Sequence, residues 1–315
     1  MRALQLELLD ALVEHCRAAG LRHYLYFGTL LGAMRHGGYI PWDDDIDLAM
    51  PREDYERFRR EFPGSALARK YELLHLDTDP NFELAIMKLA DPRALVLGDQ
   101  PAPIGVNIDI FPLDRWPVSR LGRALAQNGH RLAFFVRSYC LPGSTPPGKW
   151  PLHKRATLGV LMWLVRGRVK LRTALRWLDR YLAAVPGPCA HVGTHFVGPD
   201  KKPRFEAFGQ PVDLMFENRS VPGPSDPVTV LDHLYGNWRE PPPMDQRGGH
   251  ECAAVVWSDA VLRAAIQRLD VRQRGLLRDV DSLRALLEAN DRVPEVTEAP
   301  HSPAEARPSS EAAAT

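Results

Sequence analysis

The sequence predicts an α+β protein, and three observations predict it. Apolar residues recur at helical spacing over residues 3–18, where Leu8, Leu9, Leu12, Val13 and Cys16 share a face. Two strand-like runs follow, the aromatic-rich Arg22 to Phe27 and the alternating second half of Asp43 to Met50. A Gly28-Thr29 turn and a short helical stretch, Leu30 to Arg35, lie between them. Strand and loop patterning over 71–114 then gives way to a mostly helical stretch over 119–185.

Boundary residues support these elements. Gly20 stops the first helix, Gly37-Gly38 ends the second, and Pro51 opens a third that runs to Phe62. The 71–114 region closes on the run Val106 to Asp114. Residues 186–250 are rich in Pro, Gly and turns, and 258–288 read as a final helical stretch. From residue 292 the chain is Pro, Ala, Ser and Glu without aromatics, the composition of a disordered tail.

A chain of 315 residues is long enough for two domains, or for one with insertions. Its formal net charge of +1 gives no global pull toward nucleic acid, so a nucleic-acid-coating role is disfavoured. The cysteines Cys16, Cys140, Cys189 and Cys252 are scattered without a CxxC pair, as expected in a reducing compartment. Glu7, Asp10 and Glu14 interrupt any N-terminal signal core. The longest apolar stretch, Ala156 to Val165, is about half of what a spanning helix needs. A cytoplasmic location is expected.

The chemistry-bearing feature is Asp43, Asp44, Asp45 and Asp47. Like charges this close repel, and burial worsens that unless a cation compensates. In a strand, Asp45 and Asp47 share one face while Ile46 and Leu48 pack into the core. Two carboxylates so placed suit Mg²⁺ or Mn²⁺, which prefer oxygen ligands and phosphate company. An EF-hand is rejected, because its sixth position, which needs Gly, is Leu48. The upstream Gly28-Thr29 turn, at a helix start, exposes N–H groups that can hold phosphate oxygens. Strand, Gly-Thr turn, helix, then a strand with Asp-x-Asp is the nucleotidyltransferase arrangement.

The run Phe27 to Leu48, with Phe27-Gly-Thr-Leu-Leu-Gly at its start and Pro41-Trp-Asp-Asp-Asp-Ile-Asp47 near its end, closely resembles the signature of the LicD family. That family includes bacterial phosphorylcholine transferases and fukutin-type ribitol-phosphate transferases. Ile108 to Asp114 looks like its central motif and Tyr235 to Pro243 like its closing motif, with Phe216-Glu217, Pro222 and His250 in keeping. The resemblance implies a nucleotidyltransferase-like small mixed sheet with flanking helices and added helical segments. Residues 1–118 would then form the catalytic core, 119–205 a helical insertion, 206–291 the closing part and 292–315 the tail.

The resemblance also implies transfer of a phospho-alcohol, phosphocholine or a polyol phosphate, from a CDP-linked donor to a glycan or lipid-linked glycan, with CMP leaving. Asp45 and Asp47 are the first choice as ligands of Mg²⁺ or Mn²⁺. Asp109, flanked by Ile108 and Ile110, is the third carboxylate, as ligand or proton acceptor. Asp114, following Pro112, reads as a loop or cap residue. Gly28, Thr29, Arg35, His36 and Lys88 are candidate phosphate or nucleotide contacts. Against that stand a helix-capping role for Arg35 and His36 and a surface position for Lys88.

Cys189, His191 and His195, with His250 and Cys252 later, fit no common zinc module, and metal binding there stays open. Residues 153–180 hold eight Lys or Arg against Asp179 alone, interleaved with Leu and Trp. They read as packed helices with a solvated basic face, or as a peripheral contact with anionic lipid. The competing functions are a nucleotidyltransferase releasing pyrophosphate, a catalytically silent binding protein of the same fold, and a glycosyltransferase using Asp-x-Asp. The Gly-Thr turn argues against the last.

Overall fold

The protein was analysed as a computed structural model that describes residues 1–79, 82, 84–98, 103–139, 171–184, 189–194, 201–244, 247, 252–269, 277 and 279–289. The fold is α+β. A seven-stranded mixed sheet has the order β1 (Tyr24–Leu25), β2 (Asp47–Pro51), β5 (Ile104–Pro117), β4 (Met87–Gly98), β3 (Glu72–Leu74). Only β2 and β5 are parallel among these neighbours. The far halves of the long strands take further partners: β6 (Cys189–Gly193) pairs β5, and β9 (Cys252–Trp257) pairs β4. A separate hairpin joins β7 (Val212–Phe216) to β8 (Arg219–Gly223).

Helix α1 (Arg2–Ala19) buries the predicted stripe, with Leu8, Leu9, Leu12 and Cys16 fully covered, and ends on Gly20 at φ 64°. That stripe joins one core with Tyr24, Leu48, Ile108 and Ile110 from β1, β2 and β5. Helices α2 (Phe27–His36) and α3 (Arg52–Glu61) flank β2 in sequence, and Pro51 caps α3. Helices α4 (Arg120–Tyr139) and α5 (Leu171–Ala183) form the described part of the helical stretch. After a short turn, α6 (Phe205–Phe208), the Pro/Gly-rich region contains the hairpin and α7 (Pro227–Tyr235). Two helices, α8 (Ala260–Gln267) and α9 (Val280–Glu288), close the described chain. The expected tail, 292–315, lies outside the described residues.

Two expectations need correction, and a third gains detail. Residues 186–250, rich in turns, also hold the β7–β8 hairpin and α7. Pro227 sits in the first turn of α7, where its missing N–H costs nothing, and Asp226 accepts from the Thr229 N–H at 3.0 Å. The Arg22–Phe27 strand shrinks to two residues, because the chain must swing into α2. Asp114 is not a loop residue. It lies inside β5, 4% exposed, because Pro112 falls past the end of the β4 ladder at Ile110, while β2 stays in register through Leu113 and β6 takes over at Asp114.

Asp114 has a partner there. Arg52, at the start of α3, donates from Nε and Nη2 to its two carboxylate oxygens at 2.7 and 2.9 Å, and from Nη1 to Asp179 of α5 at 3.0 Å. One guanidinium thus faces several acids. Arg52 is held charged by Asp114 and Asp179 against burial. Asp179 receives the weaker share, and burial with the nearby Asp114 charge pushes its carboxyl up to about 6. Of the basic segment 153–180, residues 153–170 lie outside the described residues. On α5, Leu175 and Asp179 turn inward and Arg176 pairs with Asp77 at 2.8 Å, while Trp177 and Arg180 face solvent.

Two buried histidines make the fold acid-sensitive. His23 and His75 are 2% and 1% exposed, and burial lowers each from 6.5 to about 4. Their depressed values mean stability present above pH 6.5 and lost as pH falls through about 4. Asp179, up at about 6, and Asp47, raised by burial and by Asp45, Asp109 and Asp43, work oppositely and add stability as pH falls. The change in Tm between pH 7 and 4.5 is the balance of these two sets. His23→Gln combined with His75→Gln leaves only the carboxyls and should shift that slope toward higher Tm at low pH. An unchanged slope in thermal melts of the double variant would refute the assignment.

Candidate functional site

The site forms where the parallel pair β2–β5 meets β4. Asp47 stands opposite Asp109 in the β2–β5 register, and Asp109 stands opposite Lys88 in the β5–β4 register. The three side chains therefore line up across adjacent strands. Lys88 is buried rather than on the surface, and its Nζ donates to Asp109 Oδ1 at 2.6 Å and to Asn107 Oδ1 at 3.1 Å. The sequence did not single out Asn107, though it sits two residues before Asp109 and so shares its face. Strand β2 begins only at Asp47. Asp45 accordingly approaches from the preceding loop, not by strand alternation.

The start of α2 supports this row. Phe27 opens the helix at φ 39°, an unusual conformation for a bulky residue, held by its ring against Tyr26 and Phe111 at 4.1 and 4.9 Å between centroids. The next two residues are Gly28 and Thr29. Thr29 Oγ1 accepts from the Asp47 N–H at 2.7 Å, anchoring the first residue of β2. A Cβ on Gly28 would stand 2.6 Å from Asp43 Oδ2, so glycine allows Asp43 to approach the N-terminus of α2. Thr29→Val would leave a buried N–H without its acceptor and should cost roughly 1–3 kcal/mol, whereas Thr29→Ser should cost little. Urea unfolding of both variants checks this, and equal stabilities would contradict it.

The electrostatics are those of crowded carboxylates. Asp47 is pushed well above the usual carboxylate range, first by burial and then by Asp45, Asp109 and Asp43, with Lys88 opposing. The phenol of Tyr26 is raised by burial and then by Asp47. Tyr235, at the end of α7, feels the same cluster: burial, then Asp47 and Asp43, raise its hydroxyl. Among the described residues no three His, Cys, Asp or Glu side chains are gathered as a ready metal cage. What is gathered is a set of oxygen donors with Lys88 as the one cation in the row.

Arg35 and His36 form the last turn of α2. Arg35 donates to His36 Nε2 at 3.0 Å and to the Trp238 carbonyl at 3.0 Å, which ties α2 to the segment after α7. Burial and the Arg35 charge keep the His36 ring below its usual range. Arg247 lies over the Trp42 ring, 4.6 Å from its centre. Tyr235 lay within a motif that carried no role, and nothing about Arg247 in the sequence signalled its place. Among the described residues the Cys/His set is not brought together. Cys189 and His191 pair with β5, Cys252 pairs with β4, and the His191 ring contacts the Lys202 carbonyl at 3.0 Å. His195 and His250 lie outside the described residues.

Comparison with known proteins locates the resemblance. Residues 20–79 match a family model described as LicD/FKTN/FKRP, nucleotidyltransferase domain. Over 53 residues the chain is 49% identical to the lipopolysaccharide cholinephosphotransferase LicD of Haemophilus influenzae, covering 17% of this chain and 20% of that protein. Over 54 residues it is 50% identical to the ribitol 5-phosphate transferase FKRP of Homo sapiens and of Mus musculus, covering 17% of this chain and 11% of each relative. The chain thus spans a fifth or less of the length of these curated relatives. The matched family segment contains Gly28, Thr29, Arg35, His36, Asp45 and Asp47, and the fold adds Lys88 and Asp109 to it.

Proposed function

Residues 20–79 of this chain are LicD-like, and from that premise we propose that the protein transfers a phospho-alcohol, phosphocholine or a polyol phosphate, from a CDP-linked donor to a glycan hydroxyl. The observation that carries this reading is the row Asp47, Asp109, Lys88, set in register beside the LicD-like segment. The acceptor hydroxyl attacks the β-phosphorus in line, the bond from that phosphorus to the bridging oxygen breaks, and CMP leaves. Asp109 takes the hydroxyl proton, and Lys88 orients its carboxylate. Asp45 and Asp47, with Asp109, would hold Mg²⁺ or Mn²⁺. The donor chemistry supports this, all oxygen with the buried Asp47 crowded by like charges that a divalent cation relieves, while the carboxylates do not stand gathered as a ready cage. When bound, such an ion neutralises phosphate charge and stabilises the leaving oxygen.

No described helix is long and apolar enough to cross a membrane. Peripheral contact with anionic lipid belongs to the proposal and rests on Trp177 and Arg180, which face solvent on α5. The test of function offers CDP-choline, CDP-ribitol and CDP-glycerol with candidate glycan acceptors and measures released products. One donor should give protein-dependent CMP release that EDTA abolishes. Pyrophosphate release from a nucleoside triphosphate, with no CMP from any CDP-alcohol, would replace the reading with nucleotidyl transfer.

A further inference from the structure

An anionic donor approaching Asp43, Asp45, Asp47 and Asp109 meets repulsion that Lys88 alone does not offset. A second group of cations stands at the rim. Arg35 donates to the carbonyl of Trp238 at 3.0 Å, and Arg247 donates to the carbonyl of Pro242 at 2.9 Å, so both hang on the stretch that follows α7. Arg247 is stacked on Trp42, the residue preceding Asp43, and its Nη1 contacts Met244 Sδ at 2.7 Å. Among the described residues both guanidiniums are bonded to neutral acceptors, and each keeps further N–H groups for a ligand. The two carbonyls, of Trp238 and Pro242, lie four residues apart on that one stretch. Two guanidiniums hung from one stretch, preset by backbone carbonyls and a ring face, suit an anion carrying several oxygens.

We infer that Arg35 and Arg247, with Trp42 as the platform beneath Arg247, clamp the diphosphate of the donor at the edge of the carboxylate cluster. This rests on the reading above that the donor carries a nucleoside diphosphate. The clamp recognises the diphosphate and not the base or the alcohol. Calorimetric titration of the full-length protein with CDP, inorganic pyrophosphate and cytidine tests it. Arg247→Ala and Arg35→Ala should each weaken CDP and pyrophosphate about tenfold or more and leave cytidine unchanged. Arg247→Lys, which keeps the charge but loses the fork and the stacking, should fall between. Arg239→Ala, whose guanidinium lies over Trp238 and pairs with Asp232, is the control and should bind as wild type. Thermal melts confirm that each variant is folded, and Arg247→Lys carries the test if the alanine variant is not. CDP and pyrophosphate affinities within twofold of wild type in Arg247→Ala, or no binding of either anion by wild type, would overturn the clamp. Arginine-dependent diphosphate binding without any phospho-alcohol transfer would keep the clamp and remove the proposed reaction.

Discussion

Asp47→Asn is expected to lower turnover by orders of magnitude while leaving the protein as stable as wild type or more so. The two effects have one origin. Asp47 is buried among Asp45, Asp109 and Asp43, and its proton affinity is raised well above the usual carboxylate range. A carboxyl raised in the fold costs stability at neutral pH, and that cost fades as pH falls toward 3.8. Asparagine removes the charge at almost the same volume. In the proposed mechanism it also removes a ligand for the divalent ion, and with it the stabilisation of charge on the reacting phosphate. Asp45→Asn and Asp109→Asn should behave alike in turnover, and Asp114→Asn should be much milder. Near-wild-type turnover in Asp45→Asn or Asp47→Asn would sink the catalytic assignment. Loss of folding in those variants would show a structural carboxylate cluster instead.

The largest effect on stability is expected at Arg52. Its side chain and that of Asp114 are 11% and 5% exposed, and Asp179 completes the group at 11%. Arg52→Met would take from both acids the cation bonded to them. Breaking a buried ion pair from one side costs about 3–5 kcal/mol, because the remaining charge keeps its desolvation penalty. Adding Asp114→Asn and Asp179→Asn to Arg52→Met should restore much of that loss. Urea unfolding at pH 7 checks both. A loss below about 1 kcal/mol in Arg52→Met would mean that water reaches the group and screens it.

Much of the site was legible before any coordinates because its chemistry is local. Gly28 and Thr29 are adjacent, and Asp45 and Asp47 are two apart, so short-range spacing sufficed to mark them. That Asp109 stands on a neighbouring strand was implied by the family resemblance, but its parallel register opposite Asp47 was not legible. Pairing between segments about sixty residues apart is set by how α3 and β3 carry the chain back to the sheet, and no local periodicity encodes it. The same non-locality hid the Lys88–Asp109 bond, although Lys88 itself had been marked. Asp114 was misread because proline usually ends a strand. Here Pro112 lies beyond the end of the β4 ladder at Ile110 and stays opposite Met50 of β2. Helix α7 was hidden by the Pro and Gly around it. Arg247 has meaning only through Trp42, some two hundred residues away in sequence.

The central claim is that phosphorus moves with its alcohol from a CDP donor to a glycan. Incubating the protein with the donor that gives CMP release, Mg²⁺ and the glycan acceptor, then recording ³¹P NMR of the separated glycan and nucleotide, tests it most directly. The account expects a new phosphodiester on the glycan and an equal amount of CMP. A glycan carrying a nucleotide with pyrophosphate released, or an unmodified glycan beside an intact bound donor, would contradict it.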